Sequence, residues 1–417
     1  MQERQQGPSG AAWSARLRDP MLHAVLALGI TQITAWGTTY YALGVLATPI
    51  IEDMGWSRSI VFLGFSVALL VMSAASTTVG RLIDNKGARP VMTIGSVLSA
   101  VGLVALAFAY SEAAYLAAWA FLGIAMRMNL YDAAFAALVQ LAPSRGRRAI
   151  SYLTLFGGFA SSVFWPIGHY LAQGVGWRNA LLIYAVLNLL VCLPLHWVGL
   201  AHRKPEQALE TTDTPQTAVV SGDAPLEGRA RTLGIVLFAG LMSLNSFAFG
   251  ALSIHLVPVL QATGLAAAAA VWLASLKGVA QVGGRIVEMT WWRNLHPLTV
   301  GRIALGLLPL SLALLILGGP SFTTALAFTL IMGAAQGIVT IVRGALPLAL
   351  FGVKGYGAVL GLIATPILLV NALSPPVYAL ILDVSGHRIG EVVLLACSVI
   401  AYLAMEATAW WYRNRNR

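Results

Sequence analysis

The residues of this chain that could do chemistry are charged side chains inside long apolar segments. Arg127 and Asp132 lie in one such segment, and Lys277 and Arg343 lie in two others. A charge at the centre of a bilayer costs at least ~2.5–3.5 kcal/mol on insertion scales, so each group is expected to face a polar cavity or an opposite charge. Because bases outnumber the acid, the pattern favours binding of an anion over binding of a cation.

Two roles are open for Arg127. It either clamps an anion in a central cavity or forms a structural pair with Asp132. Asp132 lies five residues farther on, roughly 140° around a helix, whereas good intrahelical pairs are three or four residues apart. The spacing therefore favours the clamp. Asp132 is the acidic candidate for proton coupling, and the alternative is that it is the charge partner of an arginine.

The other buried bases also have alternatives. Lys277 either binds the same anion or extends to the membrane interface about two turns away. Arg343 either clamps the anion, closes an inner gate with Asp132 or Asp84, or anchors the end of its helix, and we favour the gating or structural role. Arg302 lies one turn into a further apolar segment and is expected to extend to the interface.

A polar and aromatic stripe precedes these charges in the chain. Gln32, Trp36 and Tyr40 are four residues apart, which places them on one face of a helix. Together with Asn245 they are candidates to line a substrate cavity. The alternative is helix–helix packing with polar hydrogen bonds.

Composition decides the class of protein. The chain has 58% hydrophobic and 10% charged residues and a mean hydropathy of +0.77, so lipid is expected to be part of its solvent. The net charge of +10 comes without a basic stripe interleaved with aromatic residues, and we expect no nucleic-acid partner. Cys192 and Cys397 lie in apolar runs and predict free thiols. We expect no metal, cofactor or enzymatic activity, because the HExxH and P-loop patterns do not occur.

The elements that must position these residues are membrane-spanning helices, each of which needs about 20 mainly apolar residues. Twelve segments qualify, and we number them spans one to twelve. They cover approximately 21–51, 58–80, 89–110, 113–141, 147–173, 177–200, 232–260, 266–285, 297–318, 322–350, 355–382 and 389–412.

A polar, proline-containing stretch divides the spans six and six and predicts a linker at 201–231. The resulting organisation has five parts. These are an N-terminal tail 1–20, a bundle 21–200, the linker, a second bundle 232–412 and a C-terminal tail 413–417.

The distribution of Lys and Arg predicts the orientation. The tails and the loops on one side hold 19 of the 26 basic residues, and the opposite loops hold only Arg58, Arg178 and Arg388. The positive-inside rule places the basic side in the cytoplasm. We therefore expect a multi-pass protein of the inner, cytoplasmic membrane with both termini and the linker inside the cell.

A charged motif occurs in both halves of the chain. Residues 80–84 read Gly-Arg-Leu-Ile-Asp and continue to Gly87 and Arg89, and residues 284–288 read Gly-Arg-Ile-Val-Glu. We interpret both as charged turns after a span. Trp36-Gly37 and Phe249-Gly250 form a second matching pair, and Gly123 and Gly333 a third. An internal repeat of six spans predicts two bundles with a substrate site between them.

With this motif the chain resembles the major facilitator superfamily, whose fold has twelve transmembrane helices in two six-helix bundles. The resemblance implies that Gly80 allows close packing of spans two and eleven. It implies that Asp84 binds the N-terminal end of span eleven near Gly355 and a nearby arginine, and that Gly87 makes a tight turn. Asn85 and Ala88 stand where the family usually has basic residues.

Two tryptophan motifs are similar to those of the monocarboxylate and oxalate/formate porters, namely residues 55–58, Gly-Trp-Ser-Arg, and residues 176–178, Gly-Trp-Arg. This likeness implies a basic residue in span eight that binds a substrate carboxylate, and Lys277 is the candidate. We therefore expect a monomeric, proton-coupled secondary transporter of a small organic anion. Its partners would be the anion, protons and the lipid bilayer. The alternative is an efflux pump for drugs or for metalloid and oxyanion compounds.

Overall fold

The structure is a computed structural model that describes residues 19–201, 225–319 and 321–415. Within these ranges every regular element is a helix, which confirms the expected all-α class. Most of the tail 1–20 and of the linker 201–231 lies outside the described residues, as does the end of the tail 413–417. The domain boundaries drawn there stay predictions.

Spans one to six are formed by the first half of the chain. Span one consists of the helices Pro20–Ala35, Trp36–Tyr40 and Leu43–Met54, span two of Arg58–Lys86, and span three of Ala88–Ala107. Span four consists of Glu112–Asn129 and Tyr131–Leu141. Span five consists of Gly146–Gly158 and the start of Ala160–Leu187, and span six of the rest of that helix with Asn188–Cys192 and Leu193–Gly199. Gly176 separates spans five and six at a φ of 82°, a conformation that favours glycine.

Spans seven to twelve follow the same plan. The helices are Gly228–Ala262 for span seven, Ala267–Thr290 for span eight, Pro297–Leu317 for span nine, Phe322–Phe351 for span ten, and Tyr356–Arg415 for spans eleven and twelve together. Gly386, at a φ of 78°, separates the last two spans.

Eight helical segments among the described residues are long and apolar enough to cross a membrane. They contain ten of the predicted spans, because Pro143–Gly199 and Tyr356–Arg415 each hold two. The remaining two are span one, which the π-helical turn Trp36–Tyr40 interrupts, and span eight, a single helix of 24 residues. The predicted twelve-helix membrane architecture is therefore present.

The two charged motifs are not turns, and this part of the prediction is wrong. Asp84 lies within the helix Arg58–Lys86, and Glu288 lies within Ala267–Thr290. The turn after span two is made at Gly87, whose φ is 85°. Helix formation extends beyond the apolar stretch because the charged side chains at the helix end find partners in the other half of the molecule.

Glycines at matching positions of the repeat allow matching helix contacts. A methyl group on Gly123 of span four would collide with the Ala68 carbonyl of span two. One on Gly333 of span ten would lie 2.7 Å from the Lys277 carbonyl oxygen of span eight. The Gly123–Gly333 pair thus has the same packing role in both halves, as small residues do between membrane helices.

The two halves meet most closely where spans two and eleven pack together. Gly361 of span eleven faces the Ser76 backbone, and Ser73 Oγ donates to the Thr365 carbonyl at 2.7 Å. Span five contacts spans eight and ten mainly through Gly146–Gly158. We call the end of the molecule that carries the Gly87 turn the motif end, and the end that carries Gly176 and Gly386 the distal end.

Candidate functional site

Asp132 joins the two halves on the motif-end side of the break in span four. Its Oδ2 is paired with Arg127 Nη1 of the same span and with Arg343 Nη2 of span ten, the latter at 2.8 Å. The Arg127 and Asp132 side chains are only 2% and 4% exposed. One carboxylate therefore neutralises one of two guanidinium charges in a nearly dry environment.

The expectation that Arg127 and Asp132 are poorly placed for pairing is wrong. It assumed a continuous helix, whereas Leu130 has a ψ of −174° and breaks span four between the two residues. Gln32 Nε2 donates to the Asn129 carbonyl beside this break at 2.7 Å, which satisfies a backbone group at the helix end. Gln32 is fully buried and also accepts from Trp36 Nε1 at 3.1 Å.

Asp84 binds the start of span eleven, as the family resemblance implies. Its two carboxylate oxygens accept from the backbone N–H groups of Gly357 and Ala358 at 2.9 and 2.7 Å. The positive end of the helix dipole favours an anion there. A methyl group on Gly80 would collide with the Gly357 carbonyl, so the predicted close packing is present. No arginine lies within 4.0 Å of Asp84 in the described part of the chain, which departs from the implied ion pair.

Glu288 makes the corresponding contact in the second half, and sequence reasoning missed its partners. Arg147 Nη2 of span five donates to Glu288 Oε1 at 2.9 Å, and Ser151 Oγ donates to Glu288 Oε2 at 2.9 Å. Arg147 also donates to the Trp292 carbonyl at 3.1 Å. In the sequence, the signal for a contact of Glu288 with the other half was its match to Asp84 in the internal repeat.

These contacts hold the halves together at the motif end. Farther from the motif end, Gly278 of span eight is exposed, and a methyl group there would meet no described atom within 4 Å. Beside span one a groove opens on this side, lined by Gly44, Val45, Ser161, Ser162, Trp165, Pro166, His169 and Tyr170. We call the space between the two bundles the central space. The contacts of Asp132, Asp84 and Glu288 close it at the motif end, and the groove lies toward its distal end.

Four aromatic side chains form a wall of this central space. We call Trp36, Tyr40, Tyr41 and Tyr131 the aromatic wall. The Trp36 ring centroid lies 4.7, 5.8 and 5.0 Å from those of the three tyrosines in that order. All four side chains are partly exposed although they lie near the middle of spans one and four. Of the predicted stripe, Trp36 and Tyr40 therefore border accessible space.

Arg285 is a buried cation that sequence reasoning assigned to a loop. Arg285 lies in span eight and is only 5% exposed. Its Nε and Nη1 atoms have no hydrogen-bond partner within residues 19–201, 225–319 and 321–415. It forms no ion pair there either. The position of Gly284-Arg285 after an apolar run suggested a cytoplasmic loop, and only the extension of the helix places the guanidinium between the halves.

Lys277 and Asn245 keep their polar groups uncommitted. Lys277 lies two turns before Arg285 on span eight, is partly buried, and has neither an ion-pair nor a hydrogen-bond partner in the described structure. Asn245 of span seven is 3% exposed, and no hydrogen bond of its side chain to another described residue occurs. Between the two cations, Gln281 Nε2 donates to Gln336 Oε1 at 2.7 Å.

Arg302 does not extend freely to the interface. Its Nε donates to both carboxylate oxygens of Glu406 in span twelve, at 2.8 and 2.9 Å. The expectation failed because a residue facing its own bundle can find a carboxylate before it reaches the headgroups. Both cysteines are free, Cys192 buried and Cys397 partly buried.

Comparison with known proteins adds three observations. The family model of the Major Facilitator Superfamily matches residues 28–319. Human monocarboxylate transporter 11 is 28% identical over 368 residues, which are 80% of this chain and 70% of that protein. The multidrug resistance protein MdtL of Klebsiella pneumoniae is 28% identical over 183 residues, which are 43% of this chain and 45% of that one.

A solved structure supports the fold. The crystal structure of the human organic anion transporter MFSD10 matches with a TM-score of 0.72 and 15% sequence identity. The match covers 93% of this chain and 100% of that one. At this identity the likeness concerns the arrangement of the helices.

Proposed function

This chain belongs to the major facilitator superfamily, and from that membership we propose that it is a proton-coupled secondary transporter of a small organic anion. Its likeness to a monocarboxylate transporter supports a carboxylate as the substrate. The basic motif-end loops support an orientation with this end in the cytoplasm of a cell with an inner membrane. Closure at the motif end then corresponds to an outward-facing state of an alternating-access cycle.

The observation that carries this proposal is the unpaired guanidinium of Arg285. A cation removed from water without a counter-ion costs several kcal/mol. A substrate carboxylate would supply the missing charge and would accept charge-assisted hydrogen bonds from the guanidinium N–H groups. Lys277 and Asn245 add a second cation and an amide at the same interface, so we retain both as substrate-binding residues.

The paired charges at the motif end act as the gate. In this proposal Arg343 and Asp132 separate when the cytoplasmic side opens, and the Asp84 contact with span eleven, supported by Gly80 and Gly87, is released with them. Arg127 keeps Asp132 in place and belongs to the gate rather than to the first contact with substrate. Protonation of Asp132 would weaken its ion pairs with both arginines. Asp132 is therefore our candidate for the residue that couples transport to protons.

Uptake into vesicles tests the proposal. The protein is reconstituted, and uptake of radiolabelled acetate, lactate, pyruvate and benzoate is measured with and without an inward proton gradient. At least one acid is expected to accumulate, faster with the gradient, and Arg285→Gln is expected to remove at least about 90% of that rate. Arg388→Gln, at an exposed arginine two residues after the Gly386 break at the distal end, is the matched control. Unchanged uptake by Arg285→Gln would contradict the proposal.

Export of a drug or an oxyanion is the second candidate, supported by the likeness to MdtL. An oxyanion would use the same cations, whereas a cationic drug would be repelled by them. Binding of cationic dyes but of no anion to the purified protein would favour drug export over transport of an organic anion.

A further inference from the structure

Tyr131 of the aromatic wall and the buried Arg285 guanidinium lie against neighbouring glycines of span five. Resting on the proposed function, we propose that the substrate is an aromatic monocarboxylate. Its ring packs on Trp36, Tyr41 and Tyr131, and its carboxylate binds Arg285. Nothing in the general function of an organic-anion transporter requires an aromatic substrate, so the inference depends on the local arrangement of these side chains.

The wall is an accessible surface, unlike the cluster that contains Tyr115 and Trp119. Tyr115 and Trp119 also contact each other, with ring centroids 6.3 Å apart, but they are 0% and 1% exposed. The four wall residues are instead partly exposed in the interior of the molecule. Apolar ring surface at mid-membrane depth between two bundles is a surface that a ligand can cover.

Two consecutive glycines bring the wall and the cation together. Gly157 and Gly158 follow each other on span five. A methyl group on Gly157 would collide with the Tyr131 hydroxyl, and one on Gly158 would collide with Arg285 Nη1. The guanidinium therefore lies at the edge of the wall, within reach of a carboxylate attached directly to a ring.

Tyr41 supplies a further group for the carboxylate. Tyr131 already donates to the Thr154 carbonyl at 3.3 Å, and the Tyr40 hydroxyl accepts from Asn371 Nδ2 at 3.4 Å. The Tyr41 hydroxyl has no hydrogen-bond partner in the described part of the chain. A tyrosine hydroxyl is a donor as well as an acceptor, so Tyr41 can hold both the ring and the acid group of the ligand.

The distal groove leads to the same wall. It has a volume of about 620 Å³, and Trp165 forms part of its lining. The Trp165 ring is perpendicular to that of Tyr41, with centroids 6.4 Å apart. An aromatic acid entering from the distal end would thus meet one continuous aromatic surface from the groove to Arg285.

Stacked and edge-to-face ring contacts contribute ~0.5–1.5 kcal/mol each beyond the burial of apolar area. A saturated ring of the same size buries similar area but lacks this contribution. Two such contacts predict roughly tenfold tighter binding of benzoate than of cyclohexanecarboxylate. These two acids carry the same carboxylate and the same number of carbon atoms, so their ratio isolates the aromatic contact.

Titration calorimetry on the purified full chain tests the inference. Benzoate, cyclohexanecarboxylate and benzyl alcohol are titrated separately. We expect benzoate to bind about tenfold more tightly than the saturated acid, and the neutral alcohol not to bind measurably. Equal affinity of the two acids would overturn the aromatic preference and leave the organic-anion function intact. If neither these acids nor acetate, lactate or pyruvate bind, the proposed function fails as well.

Variants at Tyr41 test whether the preference for an aromatic ring arises from the aromatic wall. Tyr41→Leu should reduce the benzoate-to-cyclohexanecarboxylate ratio to about one to three, and it should weaken the saturated acid as much as Tyr41→Phe does, because both variants lose the hydroxyl. Tyr41→Phe should retain the ratio and weaken both acids alike, because only the hydroxyl is lost. Tyr152→Leu, at an exposed position of span five, should behave as wild type. An unchanged ratio in Tyr41→Leu, and also in Trp36→Leu, would overturn the assignment of the ring to the wall.

Discussion

Asp132 of span four and Arg343 of span ten are joined by a 2.8 Å ion pair, and the same carboxylate oxygen is paired with Arg127. One acidic group thus connects two bundles and neutralises a buried base. Removing it leaves two guanidinium groups without a counter-ion, whereas removing Arg343 leaves the Arg127–Asp132 pair complete. Substitutions of Asp132 and of Arg343 are therefore expected to have different effects on stability.

Asp132→Asn is expected to destabilise the protein by about 3–5 kcal/mol, since breaking a buried pair leaves uncompensated charge. Arg343→Gln should cost clearly less. Thermal unfolding in detergent, followed by tryptophan fluorescence, measures both. In an Arg343→Gln background, Asp132→Asn should cost less than in wild type because the two changes are coupled. Equal and additive costs would contradict the shared carboxylate.

Asp84→Asn is expected to slow transport while substrate affinity changes little. The amide retains one acceptor for the two backbone N–H groups of span eleven and loses the charge that the helix end favours. Uptake rate and equilibrium binding are measured on the same preparation. Asp383→Asn, an exposed acid near the distal end of span eleven, is the control. A normal uptake rate at normal expression would argue against a gate at Asp84.

Gly80→Ala is expected to cost about 1–3 kcal/mol, because overpacking forces backbones apart. The added methyl group would meet the Gly357 carbonyl, which belongs to a rigid helix end. Gly174→Ala, where no atom lies within 4 Å of the new methyl group, provides the comparison. Thermal unfolding of both variants is the measurement, and similar midpoints would show that spans two and eleven are less closely packed than described.

The Asp19–Arg145 pair predicts a pH dependence of stability. The hydrogen bond from Arg145 lowers the pKa of Asp19 below its ordinary value of 3.8. A carboxyl whose pKa is lower in the folded state stabilises the protein at pH values above its unfolded-state pKa. This stabilisation is lost as the pH falls through the folded-state pKa. The difference in unfolding midpoint between wild type and Asp19→Asn should therefore be constant from pH 5 to 7 and shrink below about pH 4. It should correspond to no more than about 1 kcal/mol, since the pair is partly exposed. A difference that grows on acidification would contradict this sign.

Single cysteines test the orientation. In a Cys192→Ala, Cys397→Ala background, Asn85→Cys at the motif end and Ala262→Cys at the distal end are both exposed. A membrane-impermeant maleimide added to intact cells should label only Ala262→Cys, and both positions should react after permeabilisation. Labelling of Asn85→Cys from outside would reverse the predicted topology.

The sequence by itself determined the membrane class, the number of helices and the repeat. Apolar segments of spanning length leave few alternatives in lipid, because every backbone polar group must be satisfied within a helix. The contacts of Gly80 and Asp84 were implied by the family resemblance that their motif carries. The matching positions of Gly123 and Gly333 followed from the repeat.

The tertiary structure decided which charges are paired. A break at Leu130 brings Arg127 to Asp132, and span ten adds Arg343, although no helical spacing predicts either contact. The charges interpreted as a turn form the end of span eight. There Glu288 is bound by Arg147, and Arg285 has no ion-pair partner among the described residues. Composition specifies that a charge in the membrane needs compensation, whereas only the packing of distant helices determines which group supplies it.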